Sequence, residues 1–172
     1  LWRLLVSMAG EDVGLVRQAC RAVPEDSEIW LAGLVSMETP LDDERLVPQL
    51  TDDPVPLSRR TVKALVRAGD YLLRSNCVRS ASIVANAAQK RADGFVPAYA
   101  LSVRCALRSK EWDRALALCM EAVEVAKDPS AFYRTIVALK ARDGDIDQAL
   151  RDALEFLHAT FPEQIAWGEQ LG

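Results

Sequence analysis

Ala81-Ser82-Ile83-Val84-Ala85-Asn86-Ala87-Ala88, Ala115-Leu116-Ala117-Leu118-Cys119-Met120-Glu121-Ala122 and Ala149-Leu150-Arg151-Asp152-Ala153-Leu154-Glu155-Phe156 stand 34 residues apart. Within each stretch, small or apolar residues recur at steps of four and three, which is one face of a helix. Sixteen residues before each leading alanine stand Leu65, Tyr99 and Tyr133, the large residues of another helix-like run. Short joints separate the two runs: Ser75-Asn76, Ser109-Lys110-Glu111 and Asp143-Gly144-Asp145. A fixed period of this size marks a stacked array of helix–turn–helix units. Small alanines let paired helices approach closely, and larger side chains fill the space between units. One unit cannot bury its apolar face alone, so neighbours must stack on it.

This spacing resembles the tetratricopeptide repeat, a 34-residue helix pair. Leu65, Tyr99 and Tyr133 match its large place, and Ala81, Ala115 and Ala149 match the small place that opens the second helix. Ala88, Ala122 and Phe156 match the place further on, and Tyr133 to Pro162 is the best single unit. Departures are visible too: the small residue of the first helix is Gly69 in one unit, but Val103 and Val137 in the others. The closing proline is shifted to Pro129 in the middle unit, and Asp93-Gly94 replaces it in the first. The resemblance implies an all-α, right-handed α-α superhelix of antiparallel helix pairs. It also implies a concave groove for peptides or partner helices, and seldom catalysis.

Another column of the same period holds Arg74, Arg108 and Arg142, each closing a first helix. By the resemblance, these places lie towards the concave groove, as do those of Lys63, Arg104 and Arg134. The six residues are the candidate partner-binding set, suited to the carboxylates of an acidic protein or peptide. The structural alternative is that a cation at a helix C-terminus merely answers the helix dipole, at about 0.3–1 kcal/mol. Asp70, Arg104 and Ala138 occupy the column where a chaperone-tail clamp would need asparagine, so that mode is disfavoured.

Residues 1–38 carry a looser self-similarity, with Trp2 before Leu5-Val6-Ser7-Met8 and Trp30 before Leu34-Val35-Ser36-Met37. This resembles the half-a-tetratricopeptide repeats of RNA-processing scaffolds. Gly10-Glu11-Asp12 reads as a turn, with Asp12 capping a helix to Val23, and Pro24 breaks that helix. Residues 39–57 are acidic and proline-punctuated, with a short helix expected near 40–47 after a Thr39-Pro40 start. Asp52 to Leu57 should be extended and is the expected hinge. Residues 58–160 hold the three repeats, with helices near 58–74, 77–92, 96–108, 111–126, 130–142 and 146–159. Residues 161–172 are expected to form a capping helix in which Trp167 covers the last unit.

Composition supports a helical array: of 172 residues 50% are hydrophobic and 6% aromatic. The net charge of −4 argues against a general nucleic-acid binder. No apolar run approaches the length of a membrane span. The first residue is Leu1 rather than Met, as in a trimmed or processed chain. Cys20, Cys77, Cys105 and Cys119 form no CxxC pair and read as small apolar core residues of a reducing, cytoplasmic protein. The lone His158 has no nucleophile or metal-ligand pattern around it, so no enzyme, cofactor or metal is expected. The expected role is a protein-binding scaffold or adaptor. The alternatives are an assembly subunit, homo- or hetero-oligomeric through its ends, and an RNA-processing scaffold.

Overall fold

The computed structural model describes residues 1–9, 12–37, 41–142, 144 and 146–160. Among them every regular element is helical: α1 Trp2–Ala9, α2 Val13–Ala22, α3 Ser27–Val35, α4 Asp43–Thr51, α5 Val62–Arg74, α6 Val78–Arg91, α7 Val96–Arg108, α8 Trp112–Val125, α9 Ser130–Arg142 and α10 Ile146–Thr160, with a 3₁₀ turn at Leu57–Arg59. The chain divides into two compact units, Leu1–Lys110 and Glu111–Gly172. In the first, α3 packs on α2 and α5, α6 packs on α4, α5 and α7, and α1 closes against α2 and α3. In the second, α9 packs on α8 and α10.

The periodic residues are the buried ones. Ala81, Ala115 and Ala149 are 0%, 0% and 3% exposed, and Ala85, Cys119, Ala88 and Ala122 are buried beside them. Leu65 and Tyr99 are buried, and Tyr133 is half-buried. Gly69 shows why one of these places must be small. A Cβ there would sit 2.3 Å from Cδ2 of Leu101, itself fully buried on α7.

The joints repeat as faithfully as the faces. Asn76, Lys110 and Gly144 all adopt positive φ, at 61°, 60° and 86°. Each donates its backbone N–H to the carbonyl three residues back, of Leu73, Leu107 and Ala141. After α5 a second bond, Cys77 N–H to Leu72 O, completes a Schellman closure. The joints therefore stop each first helix in one geometry, whether or not glycine occupies the left-handed place.

Differences from the sequence expectations lie mostly before the repeats. Asp12 caps α2 as expected, accepting the Leu15 N–H. The short helix expected near 40–47 instead runs from Asp43 to Thr51 with Pro48 inside it. Leu46 and Leu50 lie one turn apart and are both buried, so tertiary burial outweighs the missing proline N–H. The helix expected from residue 58 starts at Val62, because Arg60 and Thr61 are extended and Thr61 caps the Ala64 N–H.

The acidic connection turns out to be structural. Asp43 accepts the N–H groups of Arg79 and Ser80 and the Ser80 hydroxyl, so it caps α6, which has no cap of its own. The expected hinge at 52–57 is tied down instead. Val55 and Leu57 are buried, and Asp53 pairs with Arg60, a guanidinium only 2% exposed. Arg60 also donates to Pro24 O and lies over the Trp30 ring at 5.1 Å. The Gly10-Glu11 turn, the Thr39-Pro40 start, Asp143, Asp145 and the capping helix with Pro162 and Trp167 lie outside the described residues. So do the side chains of Phe156 and His158.

Candidate functional site

The first-unit candidates sit on α5 and α7. Arg74 and Arg108 are the last residues of those helices, so each side chain leaves from a C-terminal turn. Together with Asp70, Leu73, Arg104 and Leu107 they line one groove of about 460 Å³. The helices' own 34-residue register brings these six together, since 70 and 104, 73 and 107, and 74 and 108 are column mates. Lys63 is exposed on the first turn of α5 and does not line this groove.

The cations of the groove are not equivalent. Arg104 is paired with Asp70 at 2.6 Å, and its Nε donates to Ala100 O. Arg74 and Arg108 are exposed and make no ion pair or hydrogen bond with any described residue. A second hollow of about 560 Å³ shares Asp70 and Arg74 with the first and continues it across α5, α3 and α1. Its floor is apolar, with Ile29, Leu31 and Val35, and its charges are spanned by Arg67–Glu28. Nearby, Arg3 pairs with Asp26. Burial disfavours the charged form of Asp26, but Arg3 and the N–H groups of Ile29 and Glu28 outweigh it and hold the carboxyl below its usual range.

The remaining candidates belong to the second unit. Arg134 is exposed on α9. Arg142 closes α9 and lies over the Trp112 ring at 4.4 Å, an interaction worth about 0.5–1 kcal/mol at an exposed position. Lys140 pairs with Asp152 of α10 at 2.6 Å.

Sequence reasoning missed the counter-ions. Asp70 and Arg104 were legible as opposite charges in one column, a spacing that sets them on successive first helices. Arg67–Glu28 and Arg60–Asp53 had no such register to reveal them. The chemistry of catalysis is equally thin. Cys77, Cys105 and Cys119 are buried and Cys20 is half-buried, and burial pushes the Cys119 thiol up to about 11, away from a reactive thiolate. Among the described residues no group of His, Cys, Asp and Glu is arranged to hold a metal ion. No helix there is long and apolar enough to cross a membrane.

No family model and no curated protein sequence matches the chain. Solved structures do. MamA of Desulfovibrio magneticus RS-1, from residue 41 to its end, superposes with a TM-score of 0.61 at 16% identity, covering 94% of each chain. Another MamA crystal structure superposes with a TM-score of 0.64 at 15% identity, over 93% of this chain and 91% of that one. The chain has a tetratricopeptide-like solenoid fold. At such identity the likeness extends to the fold alone, and the groove residues stand on their own geometry.

Proposed function

We propose that this protein is a non-enzymatic scaffold that holds an acidic segment of a partner protein in the groove between α5 and α7. Arg74 and Arg108 grip carboxylates of that segment, and Leu73 and Leu107 take apolar groups between them. The observation that carries this reading is the contrast inside the groove. Arg104 already has a carboxylate in Asp70, whereas Arg74 and Arg108 present exposed guanidinium groups beside apolar surface with no counter-ion among the described residues. Paired N–H donors on a planar cation suit bidentate carboxylate binding. The continuation towards Ile29 and Val35 gives a longer segment further apolar contact.

The test is affinity capture from source-cell lysate with wild type and with Arg74→Glu/Arg108→Glu, helicity being checked by circular dichroism. A protein retained by wild type and lost from the folded variant supports the groove reading. Its retention should weaken as salt is raised, because the contacts are exposed charge pairs. If both baits retain the same proteins, the groove reading fails and the assembly-subunit alternative takes its place. Binding through Arg134 and Arg142 is the same proposal for the second unit, with Arg142 having to leave the Trp112 ring.

A further inference from the structure

A larger opening in the first unit lies away from the α5–α7 groove, between α2, α3 and α4, with a volume of about 710 Å³. That falls within the roughly 300–1,000 Å³ of small-molecule sites. Its deep surface is apolar: Val16, Leu34, Leu46 and Leu50 are all buried, and Trp30 and Met37 are half-buried. Helices of an array ordinarily close such a space. Here α4 is drawn to α6 by the Asp43 cap and by Leu46 and Leu50 in the core. At the far side the Asp53–Arg60 pair ties the chain leaving α4 to Pro24, at the turn between α2 and α3. The walls are thus tied at both ends, and the cleft is preformed.

Among the described residues, the charges at this cleft are unbalanced. Arg17 and Arg21, one turn apart on α2, and Arg45 on α4 are exposed and make no ion pair with any described residue. Of the carboxylates there, Asp53 is paired with Arg60, which leaves Asp52 and Asp42, whose carboxylate caps the Glu44 N–H, against three arginines. Arg60, 2% exposed, also lines the cleft, and its Nε has no hydrogen-bond partner. Cations on opposing walls above an apolar floor are complementary to an anionic head on an apolar body.

We infer that this cleft is a binding site for a small organic anion with an extended apolar body, of the fatty-carboxylate type. The carboxylate lies among Arg17, Arg21 and Arg45, and the chain runs over Trp30, Leu34 and Met37. Cys20 lines the same cleft, half-buried, while the other cysteines are buried.

The experiment uses dodecanoate, below the concentration at which it forms micelles, with titration calorimetry and with mass-mapped alkylation of Cys20. Expected are saturable binding of one dodecanoate per chain and slower alkylation of Cys20 when the site is full. Arg17→Gln/Arg21→Gln/Arg45→Gln, exposed changes with folding checked by circular dichroism, should weaken binding about tenfold or more. Dodecanol should bind more weakly than dodecanoate to the unaltered protein. No saturable binding, equal binding of dodecanol, or Cys20 alkylation unmoved at saturation would each overturn the assignment. Undiminished affinity in the folded triple variant would do the same.

Discussion

Lys110 occupies the left-handed joint position that Asn76 and Gly144 hold one repeat to either side. A Cβ at that φ costs about 1–2 kcal/mol, part of which glycine returns through the entropy of the unfolded chain. Lys110→Gly should therefore raise stability by about 1 kcal/mol or less, read as a shift in the urea midpoint at unchanged slope. Gly69 predicts the opposite sign for an apparently mild change. Alanine in place of glycine gains about 1 kcal/mol of helix propensity, yet its Cβ meets buried Leu101 at 2.3 Å. Overpacking costs about 1–3 kcal/mol, so Gly69→Ala should lower the thermal midpoint, whereas Gly94→Ala would meet no neighbouring side chain but would strain a φ of 77°. Both joints and close contacts were visible as columns. That Lys110 adopts the same backbone as glycine was not, because nothing in a lysine announces positive φ.

Between helices, the decisive contacts are polar and come from outside the repeats. Asp43 on α4 supplies the cap that α6 lacks, so Asp43→Ala should cost about 1–2 kcal/mol, as for other lost caps. Asp43→Asn should recover only part of that, since its one amide oxygen still accepts the Ser80 N–H while the Arg79 N–H, held by the other carboxylate oxygen, loses its acceptor. Thermal melts of the three proteins decide it. The Arg60–Asp53 pair carries a larger expected effect. Removing Asp53 alone leaves a guanidinium buried without its counter-charge, at a cost of about 3–5 kcal/mol. Arg60→Met combined with Asp53→Ala should lose much less than Asp53→Ala alone, a non-additivity measurable in a denaturant double-mutant cycle. Neither contact could be read from the sequence, where the acidic prolyl stretch carries every local mark of a solvated linker.

For the molecule as a whole, pH is a common test of its carboxylates. In Asp152, burial favours the neutral acid, but Lys140, Gln148 and Arg151 outweigh it and hold the group below its ordinary value of 3.8. Asp26 is lowered likewise, and Asp128 is lowered by the Ser130 N–H and hydroxyl. A carboxyl depressed on folding stabilises the native state above its unfolded pKa, and that contribution disappears as pH falls through the folded value. The protein should therefore lose stability on acidification below about pH 4. Asp152→Asn should be less stable than wild type at neutral pH, by about 1.5–3 kcal/mol, and the gap should close in acid. Urea unfolding across that pH range measures both. What the sequence determined by itself is what repeats every 34 residues: the helix pairs, the buried alanine faces, the joints and the arginine column. Those follow from periodicity, because each unit meets its neighbour in the same way. Only the tertiary structure decided what occurs once. It neutralised Arg104 with Asp70, turned the acidic connection into a cap and a buried ion pair, and left a cleft between α2, α3 and α4. Asp70 and Arg104 share a column, but Asp43–Ser80 and Asp53–Arg60 join residues with no common register, so the packing of distant segments is what selects them.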